Sequence, residues 1–482
     1  MQISFWEEYR LKYIKVLDIL RECDATLLCG DENTICYTFS KDTRTIIKGD
    51  TYLGIKGETF NGSLMYKEAF EKGANVCIVD DVVITKEDIE KYEDKVIVKV
   101  ENTVKALQKL ASYKRSLYNI PVIGITGSVG KTSTKDIIAS VVGQKYKVLK
   151  TEGNLNNEIG MPMTILKLDD HEAMVLEMGT DKFGDLSLLT EIAKPTICVM
   201  TIIGTSHIAN FGSRENILKG KLEILEGISG NKVVVINNDN DLLHNWFKEA
   251  KEEYLNNGIK ITTYGIDNES DYMAKDISLK EYQSTYNVNV ENKEYLINVP
   301  VGGKHFVYNS LAAIAIGKHL DIGIDKIING IKEFKLTKMR MDVDKLPNNI
   351  VVINDTYNAS YDSMKSGIEY LSKIKSNKKI AILGDMLELG EYSEKLHRDV
   401  GKCVEENNID ILLTVGKNAK YIADEAKKIG MNEKNVFVCE NNSEAKGIIE
   451  NKIELKDLAI LVKASRGMKL EEVANYVKEI VK

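Results

Sequence analysis

The segment Val122-Ile-Gly-Ile-Thr-Gly-Ser-Val-Gly-Lys-Thr-Ser133 constrains this chain more than any other stretch. A run rich in β-branched residues enters a turn punctuated by glycines. Lys131-Thr-Ser then opens a helix whose Ile137, Ile138, Val141 and Val142 share one face. Strand, glycine turn and helix in that order make a cradle for phosphate. Glycines let backbone N–H groups converge on an anion, and the helix N-terminus adds partial positive charge. Lys131 is placed to reach β- and γ-phosphates, and the Thr132 hydroxyl to ligate Mg²⁺. The strict G-x-x-x-x-G-K-[ST] form requires glycine where Ile125 stands; Gly127 supplies the turn instead, in a shorter Thr-Gly-x-x-Gly-Lys-Thr form. The triphosphate contacts expected are Gly127, Ser128, Val129, Gly130, Lys131, Thr132 and Ser133. A guanine reader needs Asn-Lys-x-Asp, and the nearest string, Asn231-Lys232-Val233-Val234, lacks the aspartate. ATP is the nucleotide this favours.

Short apolar runs alternate with amphipathic stretches through the chain. Expected strands are 122–126, 174–177, 197–203, 233–237, 350–354, 380–383, 411–415 and 458–462; expected helices include 131–142, 311–319, 363–374 and 471–481. This is the pattern of an α/β protein with parallel sheets covered on both faces. At 482 residues the chain exceeds one core, and about 150 residues per domain suggests three. The Lys/Glu-rich stretch 86–99 marks one seam and the charged run Lys335-Leu-Thr-Lys-Met-Arg-Met-Asp-Val-Asp-Lys345 a second, giving domains 1–100, 101–332 and 333–482. A net charge of −7 is too weak a bias to argue for nucleic acid or membrane lipid as partner. Seven cysteines without a CxxC pair read as reduced thiols. The charged residues of 1–13 leave no signal-peptide core, and 195–213 is too polar to span a bilayer, so a cytoplasmic protein is expected.

Glu177 ends a strand in Met174-Val-Leu-Glu-Met-Gly179, at the sheet edge where open α/β sheets bind ligands, and suits a Mg²⁺ site. His207 follows the next strand at the same edge. Lys219, Lys221 and Glu223 lie on the following helix, where lysines are ordinarily solvated. The string Asn237-Asn-Asp-Asn-Asp241 lacks the glycine and terminal glutamate of a calcium loop and reads as a strand-end turn.

As a set, in order over nearly the whole chain, these strings resemble the Mur ligases, ATP-dependent amide-forming enzymes of peptidoglycan precursor synthesis. Thr126–Ser133 is similar to the family's phosphate loop, and Glu177-Met-Gly with Gly204-x-x-His207 to its metal-binding acid and histidine. His305-Phe-Val-Tyr-Asn309 resembles the adenine-contacting segment. Arg340 and Asp355-Thr-Tyr-Asn-Ala359 resemble phosphate and ribose contacts. Thr151-Glu-Gly-Asn-Leu-Asn-Asn-Glu-Ile-Gly160, Gly384-Asp-Met-Leu-Glu-Leu-Gly390 with Ser393 and His397, and Lys463-Ala-Ser-Arg-Gly-Met468 look like the member that adds D-alanyl-D-alanine to UDP-muramoyl-tripeptide. Asp42-Thr-Arg44 and Gly54-Ile-Lys-Gly57 look like its UDP-binding domain.

The resemblance implies a small mixed α/β N-terminal domain, a central P-loop parallel-sheet domain and a Rossmann-like C-terminal domain. It implies Lys131, Glu177, His207 and Lys221 in catalysis, and Thr132, Glu177 and His207 around Mg²⁺, two ions in all. It adds Asn309, Arg340 and Asp355 to the ATP contacts. Thr43, Arg44, Asn154, Asn157, Tyr357, Asn358, Ser465 and Arg466 become substrate contacts. It further implies a carbamate on one lysine, for which the string Lys-Leu-Glu-Ile selects Lys221 over Lys219. The implied partners are UDP-N-acetylmuramoyl-tripeptide and D-alanyl-D-alanine, acting on a monomer. The sequence departs from the family at Asn61-Gly-Ser63, Asp181, Ala209, Ser360-Tyr361 and Ala464; none of these is the phosphate lysine, the metal-site acid or the histidine. Three rivals are a sibling ligase adding one amino acid to a shorter UDP-muramoyl peptide, a folate polyglutamylating enzyme, and a non-catalytic ATP-binding scaffold.

Overall fold

The computed structural model describes residues 12–57 and 59–481. Most of the segment read as lacking a signal-peptide core, residues 1–11, lies outside the described residues. Three large sheets follow one another along the chain. The first has five strands in the order Thr26–Cys29, Val96–Lys99, Val76–Val79, Thr51–Leu53 and Phe39–Ser40, parallel except at Thr26–Cys29. Asn102 caps the helix Thr103–Ser116, whose Arg115 donates to the Ala193 carbonyl at 2.8 Å, fastening this helix to the next layer.

The second sheet has nine strands: Lys293–Val299, Gln283–Val290, Tyr272–Lys280, Lys260–Gly265, Val233–Asn237, Ile197–Met200, Val122–Thr126, Ala173–Glu177 and Val148–Lys150. The strand Val122–Thr126 is buried throughout, as β-branched residues between two parallel neighbours should be. Its register pairs Ile125 with Glu177 on one side and Thr126 with Met200 on the other. Three C-terminal strand ends therefore open at one edge, with Glu177 beside the phosphate loop.

Two expectations for this region need correction. The strand beginning at Ile197 stops at Met200 rather than Ile203. The Thr201 hydroxyl donates to the Val129 carbonyl at 2.6 Å and the Ile202 carbonyl accepts from Ser128 N–H at 2.7 Å, so this backbone leaves the sheet to brace the phosphate loop. The sheet is also not wholly parallel: Tyr272–Lys280, Gln283–Val290 and Lys293–Val299 form an antiparallel meander. Its inward residues Tyr286, Val288, Val290, Ile297 and Val299 are buried, while the alternate positions are mostly polar, with Gln283, Thr285, Asn287 and Asn289 on one strand and Glu294 and Asn298 on the next, which masks the strands in sequence.

The third sheet runs Asp342–Leu346, Ile350–Asn354, Leu458–Lys463, Lys378–Gly384, Ile411–Val415 and Val436–Cys439, parallel except for its first strand. The charged run 335–345 thus ends in a strand rather than a linker. Asn348 and Asn349, both left-handed, turn it back antiparallel onto Ile350–Asn354. The C-terminal edge of this sheet, carrying Asp355, Asp385 and Lys463, faces the phosphate loop of the second.

Candidate active site

Gly127 leaves the strand at φ +148°, and a Cβ there would lie 2.0 Å from the Thr201 hydroxyl, so only glycine fits. The helix Lys131–Val142 starts directly after the loop. Lys131 folds back so that Nζ donates to the Gly127 carbonyl at 2.7 Å. Burial lowers the pKa of its ammonium, Glu177 acts to raise it, and Arg340 lowers it again.

Thr132 and Glu177 are 2 % and 3 % exposed. The Thr132 hydroxyl donates to Glu177 Oε2 at 2.8 Å, and Asn156 Nδ2 donates to Glu177 Oε1 at 2.9 Å. Arg340, from the third domain, donates from Nη2 to Thr132 Oγ1 at 3.0 Å, and its guanidinium stacks 4.1 Å from the Tyr357 ring centre. Two lobes thus place Lys131, Arg340, a hydroxyl and a carboxylate at the first turn of one helix.

The group fits a nucleotide triphosphate with magnesium. Buried polar atoms around the loop lack partners in the protein, among them Ser128 Oγ, Asn309 Nδ2 and Arg340 Nε. Thr132 and Glu177 offer the hard oxygens that Mg²⁺ prefers, with phosphate and water oxygens to complete its shell. Among the described residues no three His, Cys, Asp or Glu side chains converge on a metal position, so the protein would supply few ligands. His207 shares the cleft with Glu177 but is engaged elsewhere: its Nδ1 lies 2.7 Å from Glu388 of the third domain and 3.2 Å from Asp181. The contact with His207 holds the Glu388 carboxyl below the usual carboxylate range.

Beside the loop, a cleft of about 760 Å³ is lined by Val129, Gly130, Asn309, Arg340 and Asp355, as the sequence leads one to expect, together with Asn237 and Tyr308. Tyr308 is held by a hydrogen bond to Asp239 Oδ2 at 2.9 Å. Asp355 accepts from the buried Lys463 ammonium and from Met341 N–H at 3.1 Å. On the other side of Lys131, a cleft of about 1050 Å³ is lined by Asn154, Glu177, His207, Tyr357, Asn358 and Arg466. It continues into a recess where Asn358, Glu388, Ser465 and Arg466 meet Leu387 and Ala359.

The remaining expected site residues lie elsewhere. Asn157 caps the turn into the helix Gly160–Ile165, accepting from Gly160 N–H at 2.8 Å, and it is Asn156 that reaches Glu177. Consecutive asparagines in one loop cannot be told apart by sequence. Thr43 donates to Glu68 at 2.9 Å, and Arg44, its side chain 83 % exposed, pairs with Asp42 on the first domain's surface. Lys221 is 1 % exposed with no hydrogen bond or ion pair among the described residues, whereas Lys219 is exposed.

Between the lobes, Gly204 lies against Asp362, and a Cβ at 204 would sit 2.2 Å from Asp362 Oδ2. That carboxylate accepts from Thr205 N–H at 3.1 Å. Gly204→Ala is therefore expected to turn the Asp362 carboxylate aside, break its hydrogen bond with Thr205 N–H and loosen the contact between the lobes, slowing turnover by roughly twofold to tenfold. Steady-state rates and small-angle scattering of the variant check this: an unchanged rate with an unchanged radius of gyration would refute the contact's importance.

Comparison with known proteins agrees with this arrangement. Residues 39–115 match the Mur ligase family catalytic domain, 125–317 the Mur ligase middle domain, and 339–466 the Mur ligase glutamate ligase domain. UDP-N-acetylmuramoyl-tripeptide–D-alanyl-D-alanine ligase of Bacillus subtilis strain 168 is 36% identical, over 93% of this chain and 94% of its own length. Crystal structure I of MurF from Acinetobacter baumannii superimposes with a TM-score of 0.87 at 26% identity, covering 97% of this chain and 99% of that one. MurF ligase from Thermotoga maritima in complex with ADP gives 0.78 at 26% identity, covering 92% and 97%. With three domains matched in order, a relative of this identity over nearly the full length, and two lobes closing on one phosphate loop, the chain belongs to the Mur ligase family.

Proposed function

We propose that the protein joins D-alanyl-D-alanine to UDP-N-acetylmuramoyl-tripeptide with ATP, releasing ADP and phosphate. The observation that carries this reading is the meeting of Lys131, Thr132 and Glu177 from one lobe with Arg340 from the other. A carboxylate is inert to amines in water. Transfer of the γ-phosphoryl group to it gives an acyl phosphate; the amine then attacks the acyl carbon, loses a proton, and expels phosphate. The obstacle is bringing an anion onto a polyanion. Lys131, Arg340 and the loop N–H groups offset that repulsion. Mg²⁺, held by Thr132 and Glu177, would add charge neutralisation across the phosphates. His207 and Asp181 face the same cleft and are the residues we assign to a second ion.

We assign the large cleft with Asn154 and Tyr357 to the tripeptide's terminal acid. The adjoining recess with Asn358, Ser465 and Arg466 is assigned to the dipeptide, and the exposed Thr43–Arg44 turn to the UDP end. Lobe closure would exclude the water that hydrolyses an acyl phosphate. Lys221 suits the carbamate. Burial, and Lys131 nearby, push its pKa well below the ordinary lysine value, which favours the amine form that adds CO₂ and, on losing a proton, becomes an anionic carbamate beside Lys131. Degassed, bicarbonate-free enzyme should then lose activity that bicarbonate restores, and Lys221→Met should lose that response. We take the protein to be a monomer working in the cytoplasm, where ATP is supplied.

The discriminating measurement is ADP release with UDP-N-acetylmuramoyl-tripeptide and either D-alanyl-D-alanine or single amino acids. Release is expected with the dipeptide alone. Release with a single amino acid on a shorter UDP-muramoyl peptide would instead establish the sibling activity.

A further inference from the structure

We infer that Asp136 and Thr337 form a clasp that delivers Arg340 to the nucleotide, making both of them positioning residues for phosphoryl transfer. The inference rests on the ATP-dependent reading above and extends it to the connection between the lobes.

Thr132 and Asp136 lie four residues apart on the phosphate-loop helix and so share one face, about 6 Å apart along its axis. Thr337 and Arg340 lie three residues apart on the strap between the helix Ile324–Glu333 and the strand Asp342–Leu346. Asp136 Oδ2 accepts from Thr337 N–H at 2.9 Å and from the Thr337 hydroxyl at 2.8 Å. One turn earlier, Thr132 Oγ1 accepts from Arg340 at 3.0 Å. The strap is thus pinned twice along one face of the helix that holds the phosphate loop. Three residues span at most about 11 Å, so anchoring Thr337 leaves little freedom in where Arg340 begins.

The backbone of the strap is held as well. Met339 and Met341, on either side of Arg340, are left-handed at φ 62° and 49°. Such conformations are unfavourable in non-glycine residues and persist only where the surroundings impose them. Asp136 imposes one end, and the Asp355 carboxylate, which accepts from Met341 N–H at 3.1 Å, imposes the other.

Asp136 is 3 % exposed, with Lys135 Nζ at 3.3 Å and Lys150 Nζ at 3.7 Å from its other oxygen. A helix interior needs no carboxylate there, and burying one is costly unless it is paired and hydrogen-bonded. Its two hydrogen bonds to the strap are what an apolar residue could not make. Lys135 donates in turn to the Thr151 carbonyl at 3.0 Å, and the Thr151 hydroxyl accepts from Glu177 N–H at 2.9 Å. The same helix turn therefore sets both the strap with Arg340 and the loop behind Glu177.

The test uses the full chain and ADP release with UDP-N-acetylmuramoyl-tripeptide and D-alanyl-D-alanine. Thr337→Val keeps the shape and removes the hydroxyl. It should lower kcat by about tenfold, leave KM for the UDP substrate within about twofold, and be rescued by Thr337→Ser. In an Arg340→Ala background the same change should cost less than about twofold, because the residue it positions is gone. An equal loss in both backgrounds, or full activity of Thr337→Val, overturns the clasp. Should Thr337→Val fold poorly by thermal unfolding, Asp136→Asn replaces it with the same two expectations. Absence of ADP release by the wild type with these substrates would overturn the ligase reading itself, and the clasp with it.

Discussion

Lys131→Ala is expected to lower ADP release by at least about a thousandfold, the scale seen when a cation facing a transferring phosphoryl group is removed. The ammonium is not a structural strut. It is tethered by one hydrogen bond to the Gly127 carbonyl, its burial already opposes its charge, and it depresses the neighbouring Lys221. Removing it relieves the burial of its own charge and the like-charge contact with Arg340, so the thermal midpoint should stay level or rise. Rate and midpoint together are decisive. A folded variant retaining wild-type turnover would dismiss Lys131 from the chemistry, whereas loss of both would show only a failure to fold.

The parts of the molecule that were legible in sequence are those where local pattern and tertiary role agree. Val122–Thr126 and Lys131–Val142 begin and end where the sequence pattern puts them, because a continuous β-branched run, a glycine turn and a 3.6-residue period each have one reading. The helix expected from Leu311 instead starts at Lys304, since its first turns carry His305, Tyr308 and Asn309 toward the cleft beside the phosphate loop and only Phe306 and Val307 toward the core, too short an apolar stripe to read in sequence. The meander 272–299 is hidden by the polar residues at its outward positions, and Asp342–Leu346 by its acidic and basic residues.

The site divides in the same way. Lys131, Thr132 and Glu177 announce themselves by position at a strand end or helix start. Asn156 is separated from Asn157 only by a backbone turn, and Glu388 meets His207 only across the lobe boundary. Thr337 and Asp136 are 201 residues apart and ordinary in type. No periodicity connects them; only the fold does.

Glu177→Gln should be the second severe lesion, with turnover reduced about a hundred- to a thousandfold and the Mg²⁺ concentration for half-maximal rate raised roughly tenfold. Glutamine is the informative choice because it preserves the packing. The side chain is buried between the Thr132 hydroxyl on Oε2 and the Asn156 amide on Oε1. Glutamine can still accept from Thr132, and the Asn156 amide can rotate to present its oxygen to the new NH₂ group, so no buried polar atom is stranded. Alanine, by contrast, would orphan both partners and confuse a folding loss with a chemical one. What glutamine cannot supply is the negative charge. Without it, a metal ion bound beside Lys131 and Arg340 would lose the anionic ligand we assign to it, and metal binding would weaken before anything else changed. A magnesium titration of the variant, at saturating ATP and with its thermal midpoint confirmed, separates these terms. Unaltered magnesium dependence at a wild-type rate would mean that the carboxylate serves only to brace Thr132, and the metal site would have to be sought on the His207 side of the cleft.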